Sequence, residues 1–340
     1  MNIISKTKIW LSISGALVVA SILALFIFGL KPGIDFTGGS LLEIEYKGER
    51  PPVSWVQEKL SSLELGNTSI QPVSEKGYIL RLKEINEEVH QQALVNLSDI
   101  DVSSSEGEFD ESEANAIGIT ADGREIPIKI EAVGAGEDNS AVQKFNSDIL
   151  EQMRFESVGP SIGEELKRKS LYAMVIVLLV IIAYIAWSFR KVSKPVASWK
   201  YGLAAIVALF HDVLIVVGVF ALLGRFSGVE IDTSFVAAIL TVLGYSVNDT
   251  IVVFDRIREN LPRSEEDFAG TVNISLKQTI GRSINTSLTT LLVLLSILFF
   301  GGDTIKYFVL ALVIGAVVGT YSSIFLASPL LVVWEKWQRK

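Results

Sequence analysis

The sequence predicts a multi-span α-helical membrane protein with six transmembrane helices and an α+β, ferredoxin-like extracytoplasmic domain between spans 1 and 2. Three observations support this fold class. The 340 residues are 49% hydrophobic and only 20% charged, with a mean hydropathy of +0.43, which indicates a chain lying partly in a bilayer and partly in water. Six apolar stretches approach or exceed the length of a membrane helix. The polar segment 31–169 carries 27 Asp/Glu against 14 Lys/Arg.

The six apolar stretches define the predicted spans. A helix that rises ~1.5 Å per residue needs about 20 residues to cross a hydrocarbon core of ~30 Å. The first stretch lacks a clear cleavage site of small residues, so it is predicted to be a retained anchor. The spans cover residues 9–30, 170–189, 201–223, 233–254, 283–300 and 305–333, with an extracytoplasmic domain at 31–169 and a cytoplasmic loop at 255–282.

Basic residues predict the orientation of the spans, because Lys and Arg in short connections favour the cytoplasmic side. The connections on the opposite side hold only Arg225 and Lys306. Residues 1–8 and 334–340 are therefore predicted to be cytoplasmic, in a multi-pass protein of the cytoplasmic (inner) membrane whose large acidic domain lies outside. The basic residues that carry this argument are Lys6, Lys8, Arg190, Lys191, Lys194, Lys200, Arg256, Arg258, Arg263, Lys277, Lys336, Arg339 and Lys340.

The segment 31–169 has the element order of an α+β unit. Alternation over residues 42–46 predicts a strand, and residues 53–63 place apolar side chains on one helical face. Two strands about a turn follow, then a helix that Asn86 caps, and a last strand near residues 154–158. The order β-α-β-β-α-β is ferredoxin-like. His90 is alone on the second helix, where a surface role is expected.

Two further features are predicted before the last strand. Residues 103–116 are acidic and polar, which is typical of a mobile loop. Asp122-Gly123 predicts an additional hairpin.

The residues that the sequence lacks exclude several functions. With no cysteine there is no thiol chemistry, and the two histidines are too far apart in the chain to predict a metal site. The glycine-rich string at residues 33–40 is not followed by Gly-Lys-Ser/Thr, so we interpret it as a tight turn and not as a phosphate loop. No enzymatic activity, catalytic residue, cofactor or nucleic-acid partner is predicted.

Ionisable residues inside the spans form a candidate ion-coupling site. Asp249 lies four residues after Tyr245 on one face of span 4, next to Asn248 and about 10 Å in from Arg256. Arg282 enters span 5 from the same side, so a carboxylate–guanidinium pair is predicted. A charge at the middle of a span costs ~2.5–3.5 kcal/mol, so such residues usually face a partner or a water-filled path.

Two further polar sets lie in the spans. His211 and Asp212 form a second ionisable set in span 3, about 17 Å in from Lys200. For this set, and for the set on span 5 described next, the alternative role is hydrogen bonding between helices without ion movement. The other set is a continuous helical face of span 5 formed by Arg282, Asn285, Thr286, Thr289 and Thr290.

Five strings in order make the chain similar to a known family. They are "GIDFTGGS" (33–40), "VGPSIGEEL" (158–166), "HDVLIVVGVFALLG" (211–224), "GYSVNDTIVVFDRIREN" (244–260) and "SINTSLTTLL" (283–292). Together they closely resemble the SecF family of the bacterial and archaeal protein-export machinery, within the resistance-nodulation-division (RND) superfamily. The matching motif after span 1 consists of Gly33, Asp35, Phe36, Thr37, Gly38 and Gly39.

The resemblance implies partners and a function. Members act with SecD, a separate homologous chain that supplies six more spans around a pseudo-two-fold axis, and with the SecYEG translocon and its associated small membrane subunit. They use the proton or sodium motive force to promote export of an unfolded secretory protein. Asp249 is then expected to bind the coupling ion: when neutral it releases Arg282, when ionised it pairs with Arg282, and the helices repack between the two states.

Two alternatives are kept beside this interpretation. One is half of an RND-type small-molecule exporter, which the single compact outer domain and only six spans argue against. The other is a purely structural membrane subunit that stabilises an assembly. The change Asp249→Asn separates ion coupling from a structural role, because it preserves size and removes the titration.

Overall fold

The computed structural model describes residues 3–63, 65–66, 68–99, 117–119, 125–127, 146–189 and 197–338. The chain divides into two compact units, residues 1–38 with 158–340 and residues 39–157. The acidic stretch 103–116, for which a mobile loop is predicted, lies outside the described residues. In chain order the elements are α1 (Thr7–Phe28), α2 (Ile34–Thr37), β1 (Gly39–Tyr46), α3 (Val53–Leu60), β2 (Ser69–Val73), β3 (Gly77–Leu82), α4 (Glu87–Ser98), β4 (Ile117–Ile119), β5 (Glu125–Pro127), β6 (Leu150–Val158), α5 (Pro160–Ser188), α6 (Ser198–Ser227), α7 (Thr233–Asn260), α8 (Phe268–Phe300), α9 (Asp303–Ser322) and α10 (Ser328–Gln338).

The first unit is a bundle of long apolar helices. Among the described residues, six helical segments are long and apolar enough to cross a membrane: α1, α5, α6, α7, α8, and α9 continued through α10. Large side chains such as Phe26 and Phe300 remain 89% and 90% exposed in the single chain. Such surfaces need lipid or another protein around them. The unit is therefore a multi-span helical membrane protein.

The predicted loop at 255–282 is mostly helical in the structure. Helix α7 continues to Asn260 and α8 already begins at Phe268. Phe268, Val272 and Leu276 recur every four residues and are buried in the bundle core, while the Asp267 side chain accepts a hydrogen bond from the Gly270 N–H at 2.7 Å. The polar residues between these apolar positions hide the helical period, so the sequence analysis did not predict that this connection is mostly helical.

The sixth span is interrupted by one π-helical turn, Ser323–Ala327, which the sequence does not predict. The Ser323 carbonyl at its start accepts a hydrogen bond from the Ser328 hydroxyl at 3.2 Å. Single π turns inside α-helices are frequent at functional sites. This turn lies beside the buried polar residues of α6 and α7.

Helices α7 and α9 cross closely because α9 presents glycine at the contact. A Cβ on Gly319 would lie 3.0 Å from the Ser246 Cβ, and a Cβ on Gly315 would clash with both methyl groups of Val242. Small residues at such crossings allow the backbones of membrane helices to approach. The two glycines therefore allow α9 to lie in close contact with Val242 and Ser246 of α7.

Gly315→Ala is expected to destabilise the bundle by about 1–3 kcal/mol, because the stiff Val242 side chain cannot move away from the added methyl group. Thermal unfolding of the purified protein in detergent measures the loss as a lower melting temperature. Gly15→Ala is the matched control, because an added Cβ there has no atom within 4 Å. Equal melting temperatures for the two variants would contradict the tight crossing.

The second unit contains a four-stranded sheet with strand order β2-β3-β1-β6. Strand β3 pairs antiparallel with both β1 and β2. Leu42, Ile44 and Tyr46 of β1 are buried at 0%, 0% and 1% exposure, as the alternation predicts, and pack in one core with residues of β3, α3 and α4. Strand β4 pairs antiparallel with β5 in a separate two-stranded sheet, while Asp122-Gly123, where a hairpin turn is predicted, lies outside the described residues.

Helix α4 confirms one sequence prediction and corrects another. The Asn86 side chain accepts the Val89 N–H at 3.0 Å, so it is the predicted cap. His90 is buried, not on the surface: its ring stacks on Phe155 with centroids 3.7 Å apart, and its Nε2 lies 3.0 Å from the Gln152 Oε1. A partner 62 residues away gives no local signal in the sequence. Beside it, the Gln91 amide and, more weakly, His90 lower the pKa of Glu87.

Candidate functional site

Helix α7 carries Asn248 and Asp249 on different sides. Asp249 is 5% exposed and faces the bundle, on the side of Ser246 and Thr250. Asn248 is exposed and shares its side with Thr241. Successive helical residues are rotated by about 100°, so adjacent polar residues can serve two surfaces. Of these two neighbours, only Asp249 is buried inside the helix bundle of this chain.

Asp249 faces the hydroxyl groups of neighbouring helices. The groups that act on its carboxylate are Ser283 of α8, Thr320 of α9 and the more distant charge of Arg282. Among the described residues, neither Asp249 Oδ2 nor Ser283 Oγ has a hydrogen-bond partner. The predicted ion pair is not formed in this structure: Arg282 lies on the exposed side of α8, and no contact within ion-pair distance joins it to Asp249, although both are described.

A chain of hydroxyl groups leads from Tyr245 towards Asp249. The Tyr245 hydroxyl donates to Ser287 Oγ at 3.0 Å, and Ser287 Oγ lies 2.5 Å from Thr320 Oγ1. Thr320 is itself one of the groups beside Asp249. Tyr245 is therefore joined by hydrogen bonds to Thr320 of α9, which is close to Asp249, but among the described residues no hydrogen bond continues from Thr320 to the carboxylate.

The polar face predicted on span 5 points away from the bundle. Arg282, Asn285, Thr286 and Thr289 are exposed, and Thr290 is half-buried. The Thr289 and Thr290 hydroxyls donate to the Thr286 carbonyl within their own helix, at 2.9 and 3.0 Å. The sequence predicts correctly that these residues share one face, but the structure does not place that face around Asp249.

The interior of α8 is lined by a different set of hydroxyl residues, which the sequence analysis missed. They recur every four residues along the helix and all are buried, with exposures from 0% to 6%. Their strict spacing was the available signal, and the larger, more conspicuous residues of the exposed face concealed it. The set consists of Thr271, Ser275, Thr279, Ser283 and Ser287.

His211 and Asp212 form a second polar centre, separate from Asp249. Asp212 is 0% exposed, and its Oδ1 lies 2.8 Å from His211 Nδ1. Its Oδ2 accepts the Ser246 hydroxyl at 2.5 Å and the Ser322 hydroxyl at 2.7 Å. One carboxylate thus joins α6, α7 and α9. His211 Nε2 has no partner among the described residues.

The glycine motif after span 1 forms one helical turn, α2, held by two other segments. Asp35 Oδ2 accepts both the backbone N–H and the hydroxyl of Thr233, at 2.9 and 2.6 Å. Gly38 has φ +73°, and a Cβ there would lie 2.9 Å from the Pro160 Cα. Gly39 also has a positive φ, +123°. The tight turn predicted at residues 33–40 is present, but its contacts with α5 and α7 are not visible in the sequence.

The geometry defines a class of protein: a multi-span helical membrane protein with ionisable side chains buried between its helices. No group of three or more His, Cys, Asp or Glu side chains that could hold a metal ion occurs among the described residues.

Comparison with known proteins gives the family. The family described as "Protein export membrane protein SecD/SecF, C-terminal" matches residues 138–337, and the "SecD/SecF GG Motif" matches residues 23–49. The SecF protein translocase subunit of Thermobaculum terrenum is 41% identical over 331 residues, which cover 94% of this chain and 89% of the relative. The chain belongs to the SecD/SecF family of protein-export membrane proteins, in its SecF branch.

Further similarities agree with this family. The SecF subunit of Anaerolinea thermophila is 37% identical over 338 residues, which cover 98% of this chain and 94% of the relative. The crystal structure of SecDF from Thermus thermophilus, described as a translocon-associated membrane protein, covers 99% of this chain with a TM-score of 0.73 and 30% identity. This chain spans 39% of that structure's chain.

Proposed function

We propose that this chain is an accessory subunit of the Sec protein translocase that, with SecD, uses the proton or sodium motive force to promote export of unfolded proteins. The observation that carries the proposal is Asp249, a nearly buried carboxylate in a membrane helix with one oxygen lacking a partner among the described residues. Leaving such a group unpaired costs free energy. Binding of a proton or sodium ion would remove this cost, so the unpaired oxygen of Asp249 is the proposed ion site.

In this proposal Asp249 alternates between two states. With a proton or sodium ion bound, the carboxylate is neutralised and stands apart from Arg282. Without the ion, the carboxylate attracts the guanidinium, and α7 and α8 repack to bring the two together. One elementary charge moved across 100 mV supplies ~2.3 kcal/mol, so a few ions per cycle can drive a conformational change.

The exposed polar side of the bundle supports SecD as the membrane partner. A charged side chain facing lipid costs free energy, so polar faces in membranes are normally covered by protein. Here Arg282 and most residues of its face on α8 are exposed in the single chain, as are Asn248, Thr241 and Gly244 on α7. We propose that spans of SecD cover this surface and complete the surroundings of Asp249.

The second unit is proposed to be a ferredoxin-like extracytoplasmic domain that holds and releases the emerging unfolded chain. Apart from the separate β4–β5 pair between α4 and β6, its element order is β-α-β-β-α-β, and this order and the strand order β2-β3-β1-β6 support that fold. Both termini are proposed to be cytoplasmic and the membrane to be the inner membrane, because Arg256, Arg258 and Arg263 lie at the connection of α7 and α8. SecYEG, with its associated small membrane subunit, is the proposed docking partner.

His211 and Asp212 are proposed to anchor helices and not to carry the coupling ion. Both Asp212 oxygens already have hydrogen-bonding partners, so the carboxylate is satisfied without an added cation. Asp249 has the opposite property. The two ionisable sets of the sequence analysis are therefore proposed to have different roles.

The proposal is tested by ion-driven export of a secretory protein in cells whose only copy of the chain carries Asp249→Asn. Loss of export at normal subunit abundance supports ion coupling at Asp249. An unchanged export rate would contradict it and favour a purely structural subunit.

A further inference from the structure

The connection between α1 and α2 is fastened to the connection between α6 and α7. The Gly33 N–H donates to the Ile231 carbonyl, and the Ile231 N–H donates to the Lys31 carbonyl, each at 2.8 Å. The Lys31 ammonium lies 3.6 Å from the Glu230 carboxylate. Two backbone hydrogen bonds and an ion pair therefore hold residues 31–33 along residues 230–231.

Asp35 adds a stronger link at the first residue of α7. Its Oδ2 accepts two hydrogen bonds from Thr233, and hydrogen bonds to an ionised acceptor are shorter and stronger than neutral ones. The helix already has a cap of its own, because Asp232 Oδ1 accepts the Phe235 N–H at 2.8 Å. Asp35 is therefore not needed to start the helix. It ties α7 to a segment 198 residues away in the chain.

The turn α2 also packs closely against the start of α5. A Cβ on Gly163 would lie 3.0 Å from the Gly38 backbone nitrogen, and a Cβ on Gly38 would lie 2.9 Å from the Pro160 Cα. The single turn of α2 is thus held between the first residues of α5 and α7. Directly after it the chain enters β1 at Gly39.

We infer that Asp35 is a positioning residue that couples α7 to the segment entering the outer domain. When Asp249 binds or releases an ion, α7 moves and displaces α2 through the hydrogen bonds of Asp35. Because β1 follows α2 directly in the chain, the displacement is transmitted to β1. The inference rests on the proposed function, because it assigns a route to the movement that Asp249 starts. It gives the glycine motif a mechanical role: glycines permit the close packing, and the aspartate transmits the displacement.

The test uses the full chain with SecD, reconstituted in liposomes under an imposed proton or sodium gradient. Because the sequence has no cysteine, Met153→Cys in β6, where the native side chain is 55% exposed, provides a single labelling position for a fluorophore. The readouts are ion flux across the membrane and the gradient-dependent fluorescence change at position 153. The variants are Asp35→Ala and Thr233→Val, with Asp232→Ala as the control that removes only the helix's own cap.

Asp35→Ala is expected to keep the ion flux and to reduce the fluorescence change about tenfold, because both charge-assisted hydrogen bonds are lost. Thr233→Val keeps the backbone bond and loses the hydroxyl bond, so an intermediate amplitude is expected. Asp232→Ala should retain the full amplitude. A reduction of flux and fluorescence together would not distinguish Asp35 from a structural residue, and that result counts against the inference.

Full amplitude in Asp35→Ala would overturn the inference, as would failure of both the Asp35→Ala and Thr233→Val proteins to assemble with SecD while Asp232→Ala assembles. Asp249→Asn in the same assay separates this inference from the proposed function. If Asp249→Asn has normal flux and signal, the proposed function fails. If only Asp249→Asn loses the signal, the proposed function survives and the role of Asp35 does not.

Discussion

Asp249→Asn is expected to lower ion-driven export at least about tenfold while the chain remains inserted and bound to SecD. One charge that crosses 100 mV gains ~2.3 kcal/mol, which corresponds to a roughly fiftyfold change in an equilibrium constant. The variant removes the carboxylate that is proposed to bind this ion. Asparagine has nearly the same size as aspartate, so the packing against Ser283 and Thr320 is preserved. The measurement is the rate at which a secretory precursor is processed, with and without a membrane potential.

Asp255→Asn is the matched control for this variant. It makes the same chemical change in the same helix, but Asp255 is half-exposed and forms a surface ion pair with Arg258 at 2.6 Å, near the end of α7. A surface ion pair of this kind contributes about 0–1 kcal/mol, so export should stay near the wild-type rate. Equal losses in both variants would show that charge on α7, and not an ion site at Asp249, is what export requires.

Asp212→Ala is expected to have the largest effect on stability, about 3–5 kcal/mol, because it removes the common acceptor of a buried network. His211 Nδ1 and Ser246 Oγ lose their partner, whereas Ser322 Oγ keeps the Gly319 carbonyl at 3.1 Å. The variant should therefore show low abundance in membranes and a lower melting temperature in detergent. The export lost per cell should follow the protein lost.

Ser322→Ala calibrates the effect of Asp212→Ala. It leaves Asp212 with two donors, and a single hydrogen bond contributes about 0.5–1.5 kcal/mol, so most of the protein should remain folded. If Asp212→Ala were instead abundant and well folded but inactive in export, Asp212 would be an ion-coupling residue and its proposed anchoring role would be wrong.

Local sequence patterns made most of the fold predictable. The membrane helices follow from uninterrupted apolar length, and the alternation of Leu42, Ile44 and Tyr46 identifies the central strand of the sheet because one face of it is buried. The Asn86 cap follows from a hydrogen bond across three residues. Each of these signals is local, so one sequence is sufficient to detect it.

The site was only partly predictable because its contacts are distant in the chain. Asp249 stands out as a charge in an apolar helix, but its surroundings come from α8 and α9. The sequence suggested Arg282 as its neighbour, whereas the helix turns Ser283 inward and Arg282 outward. The contact of Asp35 with Thr233 joins segments with no common pattern, so only the folded structure shows it.

Ion flux through the chain reconstituted with SecD in liposomes tests the central claim most directly. With a proton or sodium gradient imposed and an indicator dye inside, wild-type protein and Asp255→Asn should both carry ions at similar rates. Asp249→Asn should reduce the flux to the level of empty liposomes. Flux in Asp249→Asn equal to that of the wild type would contradict the assignment of Asp249 as the ion site.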